Sequence, residues 1–161
     1  MPAVPSSRPK VLMVSPMPEW DIAPMREVYD LIDLPSDGPA ALDAASEITA
    51  LVTSGGRGAD AALIEALPAL ELIAVYGVGY DKVDLAAATR RNVAVTNTPD
   101  VLTADVADMA LALTLALARR IVDGDAFARS GAWAHGAMPL TGSVSGRKIG
   151  IVGLGRIGEA I

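Results

Sequence analysis

The stretch RKIGIVGLGRIG, residues 147–158, decides the fold class of this chain. An apolar, β-branched run ends at Val152 and leads directly into the pattern GxGxxG, after which a helix can begin. In a strand–turn–helix unit of this kind, Gly153 permits a tight turn, Gly155 lets the backbone approach a pyrophosphate, and Gly158 lets helix and strand pack closely. The first amides of the helix are left unpaired and can receive phosphate oxygens. The stretch therefore predicts the start of a dinucleotide-binding fold.

This prediction rests on the context of the motif, because a chain with 15 glycines can produce GxGxxG by chance. The alternative is a strand–turn–helix unit with a purely structural role. The residue that distinguishes NAD from NADP is expected about 20 positions after the motif. That position lies beyond Ile161, so the sequence leaves the cofactor as NAD or NADP.

Upstream of this stretch, short β-rich runs alternate with helical runs rich in Ala and Leu, which is typical of βαβ units in a parallel sheet. The composition agrees, because 52% of the residues are hydrophobic but only 4% are aromatic. The predicted strands span residues 10–14, 48–52, 72–75 and 93–96. The predicted helices span residues 25–31, 59–66 and 84–90, the second starting at Asp60 or the turn before it.

The segment Asn97-Thr98-Pro99-Asp100 interrupts the alternation, because a residue before proline is forced towards extended geometry. We place the domain boundary there, giving domains of residues 1–100 and 101–161. Residues 101–121 are apolar on nearly every side, which predicts a helix buried between domains or subunits. A homodimer through this helix is the expected assembly. A short helix over 123–131, a loop over 132–146 and a strand over 147–152 complete the prediction.

Composition excludes several classes of function. The net charge is -6, with 19 acidic and 13 basic residues, so the basic surface that nucleic-acid binding needs is absent. No cysteine occurs, which excludes disulfides and thiolate zinc sites and fits a cytoplasmic protein. The most apolar stretch, residues 109–118, is about half of the roughly 20 residues needed to cross a bilayer. We expect neither a membrane segment nor a metal site.

Two glycine loops follow predicted strands and could bind a small anion. One is Tyr76-Gly77-Val78-Gly79-Tyr80-Asp81, and the other, residues 53–58, includes Arg57. Ligands bind at the carboxyl ends of parallel strands, where glycines expose backbone amides. Ordinary turns are an equally good interpretation of the first loop, and solvation is the favoured interpretation of Arg57.

Two segments resemble the D-isomer-specific 2-hydroxyacid dehydrogenases, most closely their glyoxylate/hydroxypyruvate reductases. They are VYGVGYDKVDLAAATRRNVAVTNTPDVLTADVADMALALTLALARRI, residues 75–121, and SGRKIGIVGLGRIGEAI, residues 145–161. The similarity covers roughly residues 51–161, with its motifs in the family's order. It implies an α/β protein with a flavodoxin-like substrate domain followed by the start of a Rossmann domain, which the chain carries only in part.

The resemblance also implies site residues. Val78 and Gly79 would contact the substrate carboxylate through their backbone. Leu154, Gly155, Arg156 and Ile157, between Gly153 and Gly158, would bind the pyrophosphate. Thr103 would lie near the nicotinamide. Asp108 stands where the family more often has glutamate, so a role that needs the longer side chain does not transfer.

The implied reaction is hydride transfer between NAD(P)H and C2 of a small 2-keto or 2-hydroxy acid. The family's catalytic arginine, histidine and carboxylate lie downstream of the glycine motif, so we expect no catalytic residue within this chain. His135 precedes the motif, which disfavours it as the acid–base group. The alternative is a non-enzymatic module of the same fold that senses a nucleotide or binds a protein.

Overall fold

A computed structural model describes residues 8–161 of the chain. The chain divides into two compact units, Met1–Pro99 and Asp100–Ile161. The first unit is a sheet covered by helices, and the second is helical.

The first unit contains a five-stranded, fully parallel sheet with the strand order β2-β1-β3-β4-β5. Its strands are β1 (Lys10–Met13), β2 (Asp30–Asp33), β3 (Ile48–Ser54), β4 (Leu72–Tyr76) and β5 (Ala94–Thr96). Its helices are α1 (Glu19–Val28), α2 (Leu34–Asp37), α3 (Ala61–Ala66) and α4 (Leu85–Arg90), with a 3-10 turn over Gly38–Leu42. This strand order is the flavodoxin-like one, so the predicted fold class is confirmed.

The core of this unit lies on the two faces of the central strands. Leu12, Ile48, Leu51 and Ile73 are fully buried in β1, β3 and β4, and Ile64 of α3 packs against them. The aliphatic run of each central strand is therefore covered on both sides, as in other parallel sheets. These strands are rigidly placed, which fixes the loops at their carboxyl ends.

Side-chain hydrogen bonds cap the ends of the short helices in this unit. The Asp60 side chain accepts a hydrogen bond from the Leu63 amide, and Asp84 accepts one from Ala87, so both aspartates cap helices. At the other end of α3, the Arg91 guanidinium donates to the carbonyl oxygens of Ile64, Leu67 and Pro68 at 2.7–3.0 Å. One arginine thus satisfies three carbonyls at the end of that helix.

Two predictions near the N-terminus were wrong. The helix expected over 25–31 runs instead over Glu19–Val28, and β2 follows almost at once. Strand β2 was not predicted, because its sequence DLID alternates acidic and apolar residues as an edge strand exposed on one side can. The predicted helix included Asp30 and Leu31, but in the structure these two residues belong to β2 and pair with Lys10 and Val11 of β1.

The second unit contains α5 (Thr103–Ala118), α6 (Ile121–Arg129), a 3-10 turn (Ala132–Ala134) and α7 (Arg156–Ala160). The single helix expected over 101–121 is broken near its end, where Arg120 adopts a left-handed conformation with φ of 50°. Helices α5 and α7 pack against each other.

The strand predicted over 147–152 is not formed. Within the part of the second unit that the structure describes, no strand lies beside this segment, and a β-strand needs a partner for its backbone hydrogen bonds. Ile149, Ile151 and Val152 are consequently exposed. The β-branched residues that favour a strand are present, but among the described residues of the second unit no strand pairs with them.

Helix α5 is exposed along most of its length. Ala107 is its only buried residue among those described, whereas Leu113 and Leu117 are 61% and 82% exposed. Burial of this helix between domains or subunits stays a prediction. Across residues 8–161, no helix combines the length and apolarity that crossing a membrane would take.

Candidate functional site

Two loops meet at the carboxyl edge of the sheet, one after β3 and one after β4. An isolated parallel bridge joins Ala59 to Val83 beyond the strands. The Lys82 ammonium donates to the Gly56 carbonyl oxygen at 2.7 Å. Gly58, at φ of 70°, lies so close to the Lys82 backbone that any side chain there would collide with it. The two loops therefore form one packed structure.

The loop after β4 contains Val78 and Gly79, the residues that sequence resemblance assigns to the substrate carboxylate. Within residues 8–161, neither the Val78 amide nor the Gly79 amide donates a hydrogen bond. Both residues are exposed. Two adjacent, unpaired amides in a glycine loop are suited to receive a carboxylate.

Neighbouring residues hold this loop in place from both sides. The Asn97 side-chain amide donates to the Val78 carbonyl oxygen at 2.8 Å, and the Thr98 backbone amide donates to the Gly77 carbonyl oxygen at 2.9 Å. On the opposite side, Gly55 lies against the backbone of Gly79. Because the Gly77 and Val78 carbonyl oxygens are engaged by the segment after β5, the loop has little freedom to rotate.

A tyrosine connects the start of this loop to α1. The Tyr76 hydroxyl donates to the Asp21 carboxylate at 2.9 Å. This hydrogen bond, together with partial desolvation and the negative charge of Asp21, raises the pKa of Tyr76 above its ordinary value of 10.0. The phenol is therefore held in its neutral, donating form.

The loop after β3 is fixed from the inside of the sheet. Thr53 is fully buried, and its hydroxyl donates to the Gly58 carbonyl oxygen at 2.7 Å. The amides of Arg57 and Gly58 both donate to the Ser54 carbonyl oxygen. The turn from 54 to 58 is thus closed by its own hydrogen bonds, while the Arg57 side chain remains exposed.

In the second unit, the glycine motif forms a turn that leads into α7. Gly153 has φ of 97°, which favours glycine, and a side chain at Gly158 would collide with the Gly153 carbonyl oxygen. Gly155 faces open space and directly precedes the first residue of α7. Gly153 and Gly158 thus lie close together, Gly155 has open space beside it, and the first amides of α7 follow the turn. A pyrophosphate site needs these three features, although here no strand precedes the turn.

Arg156 follows this turn and is paired with an acid. Its Nε lies 2.7 Å from an Asp100 carboxylate oxygen, and both side chains are more than 60% exposed. Leu154 and Ile157, the other two residues within the motif, are exposed as well. An exposed ion pair of this kind contributes little to stability, so Arg156 can exchange Asp100 for another anion.

The positions of Thr103, Asp108 and His135 say less about function than those of the loop residues. Thr103 is the first residue of α5 and is half-buried, and Asp108 is exposed on the same helix. His135 ends the 3-10 turn and is exposed, with no side-chain hydrogen bond to any described residue. Among residues 8–161 there is no cluster of three His, Cys, Asp or Glu side chains that could hold a metal ion.

Sequence reasoning missed the residues that support the loops. Asn97 was seen only as part of a boundary before proline, and Thr53 only as a neighbour of glycines. Their contacts join residues 19 and 5 positions apart in the chain. A single sequence carries no local signal for such pairings.

The chain from residue 11 to residue 145 matches the model of the D-isomer specific 2-hydroxyacid dehydrogenase family, catalytic domain. The chain belongs to this family. Among its relatives, the glyoxylate reductase of Thermococcus litoralis is 44% identical over 165 residues, covering 96% of this chain and 50% of the relative. The family resemblance inferred from the sequence is thereby confirmed.

Solved structures of 2-hydroxyacid dehydrogenases have the same architecture. A 2-hydroxyacid dehydrogenase from Ketogulonicigenium vulgare Y25 matches with a TM-score of 0.90 and 48% identity, over 96% of this chain and 50% of its own. The NADPH-dependent glyoxylate/hydroxypyruvate reductase of Sinorhizobium meliloti, solved with NADP and malonate, matches with a TM-score of 0.83 and 38% identity, over 96% and 49%. The chain spans about half the length of these dehydrogenases.

Proposed function

We propose that a protein carrying this chain, together with the remaining half of the relatives' length, reduces a small 2-keto acid with NADH or NADPH. The observation that carries the proposal is the pair of exposed amides at Val78 and Gly79, which have no acceptor among residues 8–161 and lie in a loop held by contacts on both sides. Family membership and the reductases among the relatives support it. Glyoxylate and hydroxypyruvate are the substrates that their names favour.

The substrate carboxylate would accept hydrogen bonds from the Val78 and Gly79 amides. Such charge-assisted bonds are roughly twice as strong as neutral ones. Because the loop is already fixed by Asn97, Thr98 and Gly55, binding would order little additional backbone. The carboxylate would thereby set the position of the keto carbon next to it.

The glycine turn is proposed to receive the pyrophosphate of the dinucleotide, and the positive φ of Gly153 with the open space at Gly155 supports this. Gly153, Leu154, Gly155, Ile157 and Gly158 would supply the backbone around the phosphates, and Arg156 would exchange Asp100 for a phosphate oxygen. Thr103 is proposed to lie near the nicotinamide. NAD(P)H, when bound, supplies the hydride for C2 of the substrate.

We assign no acid–base residue to this chain. The family's catalytic arginine, histidine and carboxylate were expected downstream of the glycine turn, and His135 precedes it. The chain by itself is accordingly expected to bind but not to turn over. The cytoplasmic location expected from the sequence stays a prediction.

We also propose that the protein forms a homodimer through α5. Val106, Met109, Leu113 and Leu117 recur at helical spacing and are all exposed. A stripe of this kind on an otherwise folded unit favours association with a complementary copy of itself.

The decisive experiment measures oxidation of NADH and NADPH by the protein with a panel of glyoxylate, hydroxypyruvate, pyruvate and phenylpyruvate. We expect turnover with at least one of them, and a raised cofactor KM in an Arg156→Ala variant. Cofactor binding without oxidation by any acid would instead support the non-enzymatic, nucleotide-sensing alternative. Turnover by the 161-residue chain alone would contradict our assignment of catalysis to other residues.

A further inference from the structure

A second concave site lies on the sheet edge, and it involves neither Val78, Gly79 nor the glycine turn. It is a cavity of about 500 Å³ between the segment after β1 and the loop after β3. Ser15, Ser54, Gly56 and Arg57 supply its polar wall. These residues have no part in the function proposed above, so the inference goes beyond it.

The position of the cavity follows from the strand order. The chain leaves β1 to form β2 on one side and returns to form β3 on the other side of β1. Connections on opposite faces therefore separate at the carboxyl ends of β1 and β3, and open α/β sheets bind ligands at such a switch point. Ser15 lies two residues after β1, and Ser54 is the last residue of β3.

Ser15 has a hydrogen-bonding group with no partner. Its residue is only 7% exposed, and its hydroxyl is buried without a hydrogen bond to any described residue. Buried polar groups are nearly always paired, so an unpaired hydroxyl in the wall of a cavity indicates a missing partner. Ser15 is itself one of the residues that line the cavity.

Arg57 adds a positive charge to the same wall. Its guanidinium forms no ion pair and no hydrogen bond with any residue from 8 to 161. The Gly56 amide is likewise without an acceptor among those residues. A guanidinium fork, a hydroxyl and a backbone amide together match an oxyanion.

The loop that carries these groups is rigid before any ligand arrives. Thr53 and Ser54 close the turn from within, and Lys82 holds the Gly56 carbonyl oxygen from the neighbouring loop. A smaller cavity of about 370 Å³ adjoins the first, sharing Arg57, and Lys82 and Asp60 line it. Asp60, which caps α3, is the one carboxylate in this lining against the two cations Arg57 and Lys82, so the lining carries a net positive charge.

The opposite wall is apolar and is formed by Val14, Pro16, Leu34 and Pro35. An inorganic ion would leave this wall unused, whereas an organic ligand would cover it. We propose that the cavity binds a small organic anion whose carboxylate or phosphate oxygens pair with Arg57, Ser15 and Gly56, and whose apolar body lies on Leu34 and Pro35.

The test is an NMR titration of the full 161-residue chain with benzoate, phenyl phosphate and inorganic phosphate at constant ionic strength. We expect saturable shifts at the amides of Ser15, Gly56 and Arg57, with phenyl phosphate binding more tightly than inorganic phosphate. Arg57→Ala should weaken binding about tenfold or more, since it removes a charged hydrogen-bonding partner. Arg90→Ala removes the same charge from the far end of α4 and should leave the affinity unchanged.

A Ser15→Ala variant tests the unpaired hydroxyl separately. If the hydroxyl binds the anion, this variant should fold normally and bind about threefold to tenfold more weakly. Unchanged affinity in both Ser15→Ala and Arg57→Ala would overturn the proposal, as would the absence of saturable shifts at these three amides. Shifts confined to Val78 and Gly79 would also overturn it, while supporting the proposed substrate loop.

Discussion

Gly55 lies directly against the carbonyl oxygen of Gly79, so that a methyl group on Gly55 would collide with it. The loop after β3 therefore forms the backing of the loop after β4. Forcing a side chain into such a packed contact costs about 1–3 kcal/mol. We expect Gly55→Ala to lower the free energy of unfolding by that amount in urea titrations.

Gly56 provides the matched control for this variant. Its nearest atom outside the adjoining residues is the Ser54 hydroxyl oxygen, 4.0 Å from where a methyl group would lie. Gly56→Ala should change the free energy of unfolding by less than about 0.5 kcal/mol. Equal losses in the two variants would show that the contact with Gly79 does not decide the conformation.

The hydrogen bond from Asn97 to Val78 predicts a second effect. Asn97→Ala removes the donor, which should lower the free energy of unfolding by about 0.5–1.5 kcal/mol. It should also speed hydrogen exchange at the Thr98 amide, because the loop that this amide contacts is loosened. Thr98→Ala keeps the backbone amide and serves as the control. Unaltered exchange in Asn97→Ala would mean that Asn97 does not hold the loop.

The contact between Tyr76 and Asp21 predicts a pH dependence. Since the Asp21 hydrogen bond raises the pKa of Tyr76, the contact stabilises the folded chain fully below the phenol's ordinary pKa of 10.0. This stabilisation is lost as the pH rises through the raised value. In an NMR pH titration of the tyrosine rings, Asp21→Asn should lower the pKa of Tyr76 towards 10.0.

Glu19→Gln is the control for this titration. It removes a carboxylate from the same helix, but Glu19 pairs with Arg26 and not with Tyr76. The pKa of Tyr76 should therefore stay raised in this variant. A shift of the same size in both variants would indicate a general charge effect in place of the hydrogen bond.

The exposed stripe on α5 predicts self-association of the chain. In sedimentation velocity, we expect a dimer whose population falls with dilution and is abolished by Leu113→Lys combined with Leu117→Lys. Ala126→Lys, on the neighbouring helix α6, should leave the dimer intact. A monomer for the unaltered chain at all concentrations would contradict the proposed interface.

The first unit was largely predictable because its elements depend on neighbours in sequence. The aliphatic runs after Lys10, Ile48 and Leu72 gave strands, and Asp60 and Asp84 gave helix starts. Strand β2 was not predicted because an edge strand needs few apolar residues. The segment 147–152 shows the reverse case, since strand propensity without a neighbouring strand leaves the backbone unpaired.

The candidate site was predictable only in part for the same reason. Glycine patterns revealed the loops at Gly79 and Gly155, because a backbone that approaches a ligand requires glycine. The supporting contacts of Asn97, Tyr76 and Gly55 depend on which loops become neighbours in space. Resemblance supplied the proposed roles of the loops, whereas only the structure supplied their supports.

Thr53 has a consequence for which substitutions this chain can tolerate. Because the Thr53 hydroxyl reaches the Gly58 carbonyl oxygen from within the sheet, the shape of the turn is set by a fully buried residue. Mutation can therefore alter the exposed side chain of Arg57 while the backbone keeps its path. Substitutions on the outer side of this turn should therefore leave the stability of the sheet beneath it unchanged.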